Sequence, residues 1–455
     1  MKTSLNTKNV KKVNQSFAAG AFIMTIGMLI VKVAGAAFKV PLSYILGGLG
    51  MGYFSTAYTI YSPIHALATA GLPIAISRMI SGYMAQHRYK DVKLMHKISI
   101  PIFIITGLIG TIIMIISAFP YVRFTSSPGS LYSLVILAPT ILFSCLISIY
   151  KGYYEGLRNM IPTAVSEIVE AIGKVVFGVT FSALTMWYGM NEFKNNGTIF
   201  GKFYESEIAA KNAILPWASA AAVLGITFGA IAGYLYMCIT YKRTGDGITE
   251  QELREAPEAY SVKQLIKNLL QISIPVALGA IIMNIASAID ATLVQRRLND
   301  IMHTAPNILL RCYEGLIPIE NVQSNTTHIF LAGCFGYMNT VTMILPTITQ
   351  GLAISALPNV TSAWVGGIKE KISKSIETVL KITSIISFPI GLGMSVISFP
   401  IMDLIYNTLG KNRSIGEVSI AAEIMSLYAL GIIFVAIGTP ICSLLQAVGR
   451  ADCKF

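Results

Sequence analysis

The stretch Tyr150–Val179, YKGYYEGLRNMIPTAVSEIVEAIGKVVFGV, decides how the rest of the chain is read. A polar turn holding Lys151, Glu155 and Arg158 is followed by Pro162, which starts an apolar segment that runs to about Tyr188. Glu167, Glu170 and Lys174 lie inside that segment at i, i+3 and i+7, so they share one helical face. In a soluble protein such a face would be a solvated surface. Here the flanking sequence is apolar almost from end to end. Ionised groups inside a bilayer are expensive and turn toward a bundle interior or a wet cavity. The helix is therefore expected to form one wall of a polar path through a membrane protein.

Composition points the same way. Of 455 residues, 54% are hydrophobic and 12% are charged, with a mean hydropathy of +0.64. A soluble domain carries about 25% charged residues. Apolar runs of about 20 residues recur along the chain, which excludes a soluble globular domain and predicts an all-α polytopic membrane protein. Ten spans are expected, near 17–38, 51–81, 98–119, 131–149, 163–188, 213–241, 265–294, 328–364, 382–402 and 419–447. The second and eighth exceed one crossing, and kinks are expected in them at Pro63, Pro73, Pro346 and Pro358. Lys2, Lys8, Lys11 and Lys12 before the first span, with Ala34-Gly35-Ala36 after its core, also fit a signal peptide. Apolar sequence continuing through Lys32 to Val40 favours an uncleaved first helix.

With the N-terminus in the cytoplasm, the inside segments hold about twice as many Lys and Arg as the outside ones, as the positive-inside rule requires. The net charge of +12 is thus mostly topological, and no nucleic-acid partner is expected. Cys145, Cys238, Cys312, Cys334, Cys442 and Cys453 are scattered, without CxxC or zinc-like spacing; they read as small core residues or free thiols, and no metal or cofactor is expected. HExxH and GxSxG are missing, and Gly197–Phe203 (GTIFGKF) is one residue short of a P-loop with no Ser or Thr after Lys202. The chain is expected not to be an enzyme. Any pumping would be driven by an ion gradient, a potential or substrate flow.

Gly71–Val92 (GLPIAISRMISGYMAQHRYKDV) aligns without gaps to Gly351–Ile372 (GLAISALPNVTSAWVGGIKEKI), and a weaker match pairs Glu155-Gly156-Leu157 with Gln446-Ala447-Val448. Both copies run in the same direction, which predicts a parallel repeat of about six spans per half, an arrangement that commonly places a transport site between the halves. The expected organisation is an N-terminal lobe over 1–241, a charged cytoplasmic linker over 242–264 with a short amphipathic helix, and a C-terminal lobe over 265–455. The second lobe holds four spans, two short of the repeat, and the sequence ends at Cys453-Lys454-Phe455 where an eleventh helix is due. A truncated or frameshifted product is the expectation there.

Several charged residues within spans are candidates to line a cavity. Lys32 and Lys39 are seven apart on the first helix and suit an anionic substrate group; for each, snorkelling to an interface is the plainer alternative. Arg78, near the inner end of the second helix, suits bidentate phosphate binding or an inner-leaflet anchor. Glu167, Glu170 and Lys174 form either a network that moves as the halves rock or a static bridge. Asp290 on the seventh helix, followed by Arg296 and Arg297, is placed to pair with a cation on the first helix. Gly225, Gly229 and Gly233 form a GxxxGxxxG packing face, and His65 reads as a hydrogen-bonded core histidine.

These stretches carry a family resemblance. KGYYEGLRNMIPTAVSEIVEAIGKV, LSYILGGLGMGYFSTAYTIYSPIHALATAGLPIAISRMIS, IDATLVQRRL and LLQAVGRAD resemble the stage V sporulation protein B and polysaccharide biosynthesis branch of the MOP (multidrug/oligosaccharidyl-lipid/polysaccharide) exporters, over nearly the whole chain. That branch is similar to the lipid II flippases. The resemblance implies a two-lobed, MATE-like bundle whose central cavity alternates its access and whose cargo is an undecaprenyl-pyrophosphate-linked saccharide. It implies substrate-cavity roles for Lys32, Arg78, Asp290, Arg296 and Arg297, and an acidic-then-basic pair at Glu170 and Lys174. Relatives continue past the GRAD motif with a hydrophobic residue, a proline and further helices, and this chain departs from them at Cys453. The expected function is a flippase or exporter in the plasma membrane, serving cell-wall or spore-cortex synthesis, with membrane lipids as neighbours and H+ or Na+ as a candidate coupling ion. The alternatives are a cation-coupled multidrug antiporter, favoured if acidic cavity residues dominated, and a non-transporting membrane assembly protein.

Overall fold

The computed structural model describes residues 17–350, 360, 369–408 and 415–447. Most of the second repeat copy, Gly351–Ile372, with Pro358, the basic N-terminal residues and the end of the chain at Cys453 lie outside the described residues. Nine described helices are long and apolar enough to cross a membrane, and the protein is an all-α polytopic membrane protein. The count is one below the ten expected spans because the first two spans form a single run.

That run begins with α1 (Phe17–Thr69), which continues after a break at Ala70 as α2 (Gly71–Ala85). Gly47 lies inside α1 with φ of 63° and ψ of −176°, outside helical space and accessible mainly to glycine. The helix turns back on itself there. The rings of Phe38 and Phe54 are 6.0 Å apart, whereas a straight helix would separate these positions by about 24 Å. The first span thus extends to Leu46 instead of ending at residue 38, and Lys39 belongs to the helix, not to an outside loop. Pro73 sits in the first turn of α2, where its missing N–H is harmless, so the break falls at Ala70, just upstream of the proline.

The next spans are α3 (Tyr89–Phe124), α4 (Ser130–Leu137) continued by α5 (Pro139–Gly156), α6 (Ile161–Asn196) and α7 (Glu207–Thr244). Between α6 and α7 lies a two-stranded hairpin, β1 (Thr198–Ile199) and β2 (Lys202–Phe203). Its central residues Phe200 and Gly201 both have positive φ, the mark of a type I′ turn. The GTIFGKF stretch is this hairpin, with Glu192 accepting hydrogen bonds from Thr198 and from the Gly201 amide. The glycine face on α7 packs directly on α6: a Cβ on Gly225 would fall 2.1 Å from the Gly178 nitrogen, and one on Gly229 would fall 2.6 Å from the Glu170 carbonyl oxygen. Small residues let the two backbones meet.

The linker forms α8 (Glu250–Glu255), started by a capping box between Thr249 and Glu252. The helix has no buried residue, yet both its flanks are docked, not solvated. Asp246 takes the Lys93 ammonium and the Tyr153 hydroxyl. Asp91, fully buried, accepts from Arg88 Nε at 2.6 Å and from the Tyr260 amide at 2.7 Å. The Arg88 guanidinium also stacks 3.6 Å from the Tyr260 ring centre.

After the linker come α9 (Val262–Thr304), the short α10 (Pro306–Cys312) and α11 (Ile319–Gln323), then α12 (Thr327–Thr342), which resumes after a turn at Met343 and runs to Gln350. Pro346 falls in the first turn of that resumed helix. Beyond lie α13 (Lys369–Val396), α14 (Ser398–Asp403), a π-helical turn over Leu404–Thr408, and α15 (Ile415–Ala447). The α1 hairpin packs against α6, α9 and α12, and α9 also packs against α2.

Candidate functional site

One cluster forms where the two arms of α1 face α6. Glu170 and Lys174 border the tight α6–α7 seam, where a Cβ on Gly229 would meet their backbones, and the Lys174 side chain reaches from there to the α1 hairpin. Lys174 Nζ lies 5.0 Å from the Phe38 ring centre and 5.9 Å from that of Tyr58, so rings from both arms hold it. Lys39 is half-buried and has Lys174 and Lys32 as its electrostatic neighbours. Glu170 neighbours Lys174, Tyr58 and Tyr61. Three cations and one carboxylate therefore share this wall.

Glu167 does not join them through an ion pair. Its Oε1 takes Lys151 Nζ at 3.2 Å, bridging the end of α5 to α6. The i, i+3, i+7 face is thus divided: Glu170 and Lys174 look to the α1 hairpin, and Glu167 serves the α5–α6 corner.

The remaining candidates lie elsewhere. Asp290 is exposed on α9 and makes no ion pair among the described residues, so its expected pairing with a first-helix cation is not present in this structure. One turn and more before it, Asn284 accepts a 2.7 Å hydrogen bond from Ser62 on α1. Arg296 donates to the Phe124 carbonyl at 3.0 Å and stacks on the Phe124 ring, and Asp300 lies 3.5 Å from Arg296 and 3.8 Å from Arg297. Arg296 fastens the far end of α9 to the end of α3, while the largely exposed Arg297 pairs with Asp300 of its own helix. Arg78 lies on α2, about 35 Å along the hairpin from Lys39 at 1.5 Å per residue, in a groove between α2 and α9.

Sequence reasoning passed over an aromatic ladder beside the cluster. Phe54, Tyr58, Tyr61 and His65 pack successively at 5.9, 5.4 and 5.1 Å between ring centres, the first pair stacked and the others tilted. Their i, i+4, i+7, i+11 spacing marks one helical face and was the available signal. Glu417, also passed over, stands at the Gly47 end. Its carboxylate accepts from the Gly48 amide at 3.0 Å and from the Tyr337 hydroxyl at 3.3 Å.

The polysaccharide biosynthesis protein family matches residues 17–191. The chain is 21% identical over 443 residues to lipid II flippase MurJ of Bacillus subtilis (strain 168), covering 95% of this chain and 72% of that protein. It is 23% identical over 265 residues to stage V sporulation protein B of the same organism, 57% of this chain but only 45% of that relative's length. An inward-facing multidrug-resistance MATE transporter of the MOP superfamily superimposes with a TM-score of 0.64 at 12% identity, over 95% of this chain and 85% of the other. The chain is thus similar in sequence to these polysaccharide biosynthesis and flippase proteins and shares its fold with transporters of the MOP superfamily. The family match takes in α1 to α6 and so contains Lys32, Lys39, Arg78, Glu167, Glu170 and Lys174. The α9 residues Asp290, Arg296 and Arg297 fall outside it.

Proposed function

We propose that this protein is a flippase for a lipid-linked saccharide whose head carries a phosphate or pyrophosphate. The observation that carries the proposal is Lys174 held by the rings of Phe38 and Tyr58, with Lys39 as its electrostatic neighbour and the exposed Lys32 next to Lys39. Moving a bare pyrophosphate through hydrocarbon is prohibitive, so it needs cations in a wet cavity. Sugar rings present C–H faces that stack on aromatic rings, and Tyr58, the exposed ring of the ladder, offers such a face next to Lys174. The lipid tail stays in the bilayer. In this reading α1 to α7 and the helices after α8 act as two lobes, the N-terminus is cytoplasmic, and an ion gradient or substrate flow drives the cycle. The name of one Bacillus relative, a lipid II flippase, supports the same cargo class, and that of the other, a sporulation protein, fits a role in cell-wall or spore-cortex synthesis within this reading. Cations outnumber Glu170 on this wall, which favours an anionic cargo over the cationic drugs an antiporter would take.

The test is reconstitution in liposomes with a fluorescent polyprenyl-pyrophosphate saccharide, read as the fraction reachable by a membrane-impermeant quencher. The proposal expects time-dependent exchange with the native protein. Lys39→Gln with Lys174→Gln should reduce it at least about tenfold, each lost charge-assisted contact being worth about 1.5–3 kcal/mol. No exchange with the native protein, or equal exchange with the double variant, refutes it.

A further inference from the structure

The groove between α2 and α9 has a volume of about 370 Å³ and is lined by Arg78, Tyr83 and Gln86 from α2 and by Asn268 and Gln271 from α9. That volume is within the range of small-ligand sites. No carboxylate lines it. The Arg78 side chain makes no ion pair among the described residues. The nearby acid, Asp91, is already held by Arg88 and the Tyr260 amide. Lys267 precedes Asn268 and stands one turn before Gln271 on α9, so the surrounding field is positive. Side-chain amides and a phenol donate hydrogen bonds, and a guanidinium binds two phosphate oxygens at once.

We propose that this groove binds a phosphate group, with Arg78 as the bidentate anchor and the amides of Gln86, Asn268 and Gln271 as the remaining donors. An anionic phospholipid headgroup or the pyrophosphate of a polyprenyl carrier supplies that chemistry. The site stands on helices from opposite sides of the linker, so its affinity depends on how closely α2 and α9 approach. By linkage, its occupancy then biases that approach. The site is remote from the Lys39–Lys174 wall, and the proposal does not rest on the transport reading.

Native mass spectrometry of the purified full chain tests it, with phosphatidylglycerol, phosphatidylcholine and a polyprenyl pyrophosphate titrated separately. Native protein should bind phosphatidylglycerol or the pyrophosphate more tightly than phosphatidylcholine. Arg78→Ala should weaken that binding at least about tenfold, and Gln271→Leu about threefold. A loss confined to phosphatidylglycerol identifies a membrane lipid as the occupant, and a loss confined to the pyrophosphate identifies the carrier. Unchanged affinity for both anions in folded Arg78→Ala overturns the proposal. If that variant cannot be recovered, Gln271→Leu on the exposed face of α9 decides by itself, and unchanged affinity there overturns it equally. A plain interfacial anchor would make Gln271 irrelevant, which is why that variant separates the two.

Discussion

Removing the Arg88 side chain should release the linker from the end of α2 and α3. Asp91 is fully buried, and its carboxylate has two partners, Arg88 Nε at 2.6 Å and the Tyr260 amide at 2.7 Å. Arg88 also donates to the Glu258 carbonyl at 2.9 Å and lies over the Tyr260 ring. In Arg88→Ala the carboxylate stays buried with one backbone donor and no counter-charge. An orphaned buried charge costs about 3–5 kcal/mol, and the lost stack adds about 1 kcal/mol. At about 1.4 kcal/mol per decade, the undocked linker becomes roughly 10³- to 10⁴-fold more populated. Hydrogen exchange at the Tyr260 amide reads this opening directly. Its exchange should accelerate by that factor while amides in the middle of α3 stay unchanged.

The second substitution makes the reasoning refutable. Asp91→Asn keeps an oxygen for the Tyr260 amide and removes the unpaired charge. Introduced into Arg88→Ala, it should restore part of the lost protection, so the double variant exchanges more slowly than the single. If the double variant exchanges faster, the orphan-charge account is wrong. If Arg88→Ala itself exchanges at the native rate, the clasp does not hold the linker.

Three further outcomes are expected. Glu417→Ala removes the acceptor for the Gly48 amide and the Tyr337 hydroxyl, and should raise thiol-reagent labelling of the buried Cys334, mapped by mass spectrometry, at least severalfold. Gly225→Leu should block accumulation of folded protein in membranes, because even a Cβ there would meet the Gly178 backbone and overpacking costs about 1–3 kcal/mol or more. Lys151→Ala and Glu167→Ala should each destabilise thermal unfolding in detergent, and their double-mutant cycle should show a coupling of about 1 kcal/mol or less that shrinks in high salt, since both side chains are partly exposed.

The fold was legible where a single physical demand dominates. Long apolar runs demand helices in a bilayer, and the spans of α3, α6 and α7 follow from that alone. The Gly47 hairpin was not legible as a turn, because apolar sequence runs through it without a polar loop; the cue was the glycine series Gly47, Gly48, Gly50 and Gly52. Glu170 and Lys174 were legible as a helical pair because one periodicity relates them. The partner of Glu167 was not, since Lys151 approaches across the α5–α6 corner, where spacing says nothing about distance. The docking of Asp91 was hidden for a related reason: one of its two partners, the Tyr260 amide, comes from a charged stretch that composition alone marks as solvated. Arg296 shows the converse, a charge in a suggestive position whose guanidinium is engaged by a carbonyl and a ring at the end of α3.

The two ends of the α1–α2 run differ in what holds them to the helices after the linker. At the Gly47 end the chain closes backbone against backbone: a Cβ on Gly333 would fall 1.8 Å from the Gly48 carbonyl oxygen. Glu417, the Tyr44 hydroxyl bonded to the Ile405 carbonyl, and the Arg296 clasp add polar ties there. At the opposite end α2 and α9 leave a groove lined by a guanidinium and amides. A seam of glycine contacts is short-ranged and all-or-none, since a gap of 0.5–1 Å forfeits a quarter to a half of each dispersion contact. A groove of polar side chains yields gradually and exchanges its bonds with water or ligand. If the bundle rocks, the Gly47 end therefore behaves as the latch and the Arg78 end as the adjustable side. A phosphate bound at Arg78 would act on the balance between them without touching the cargo wall at Lys39 and Lys174.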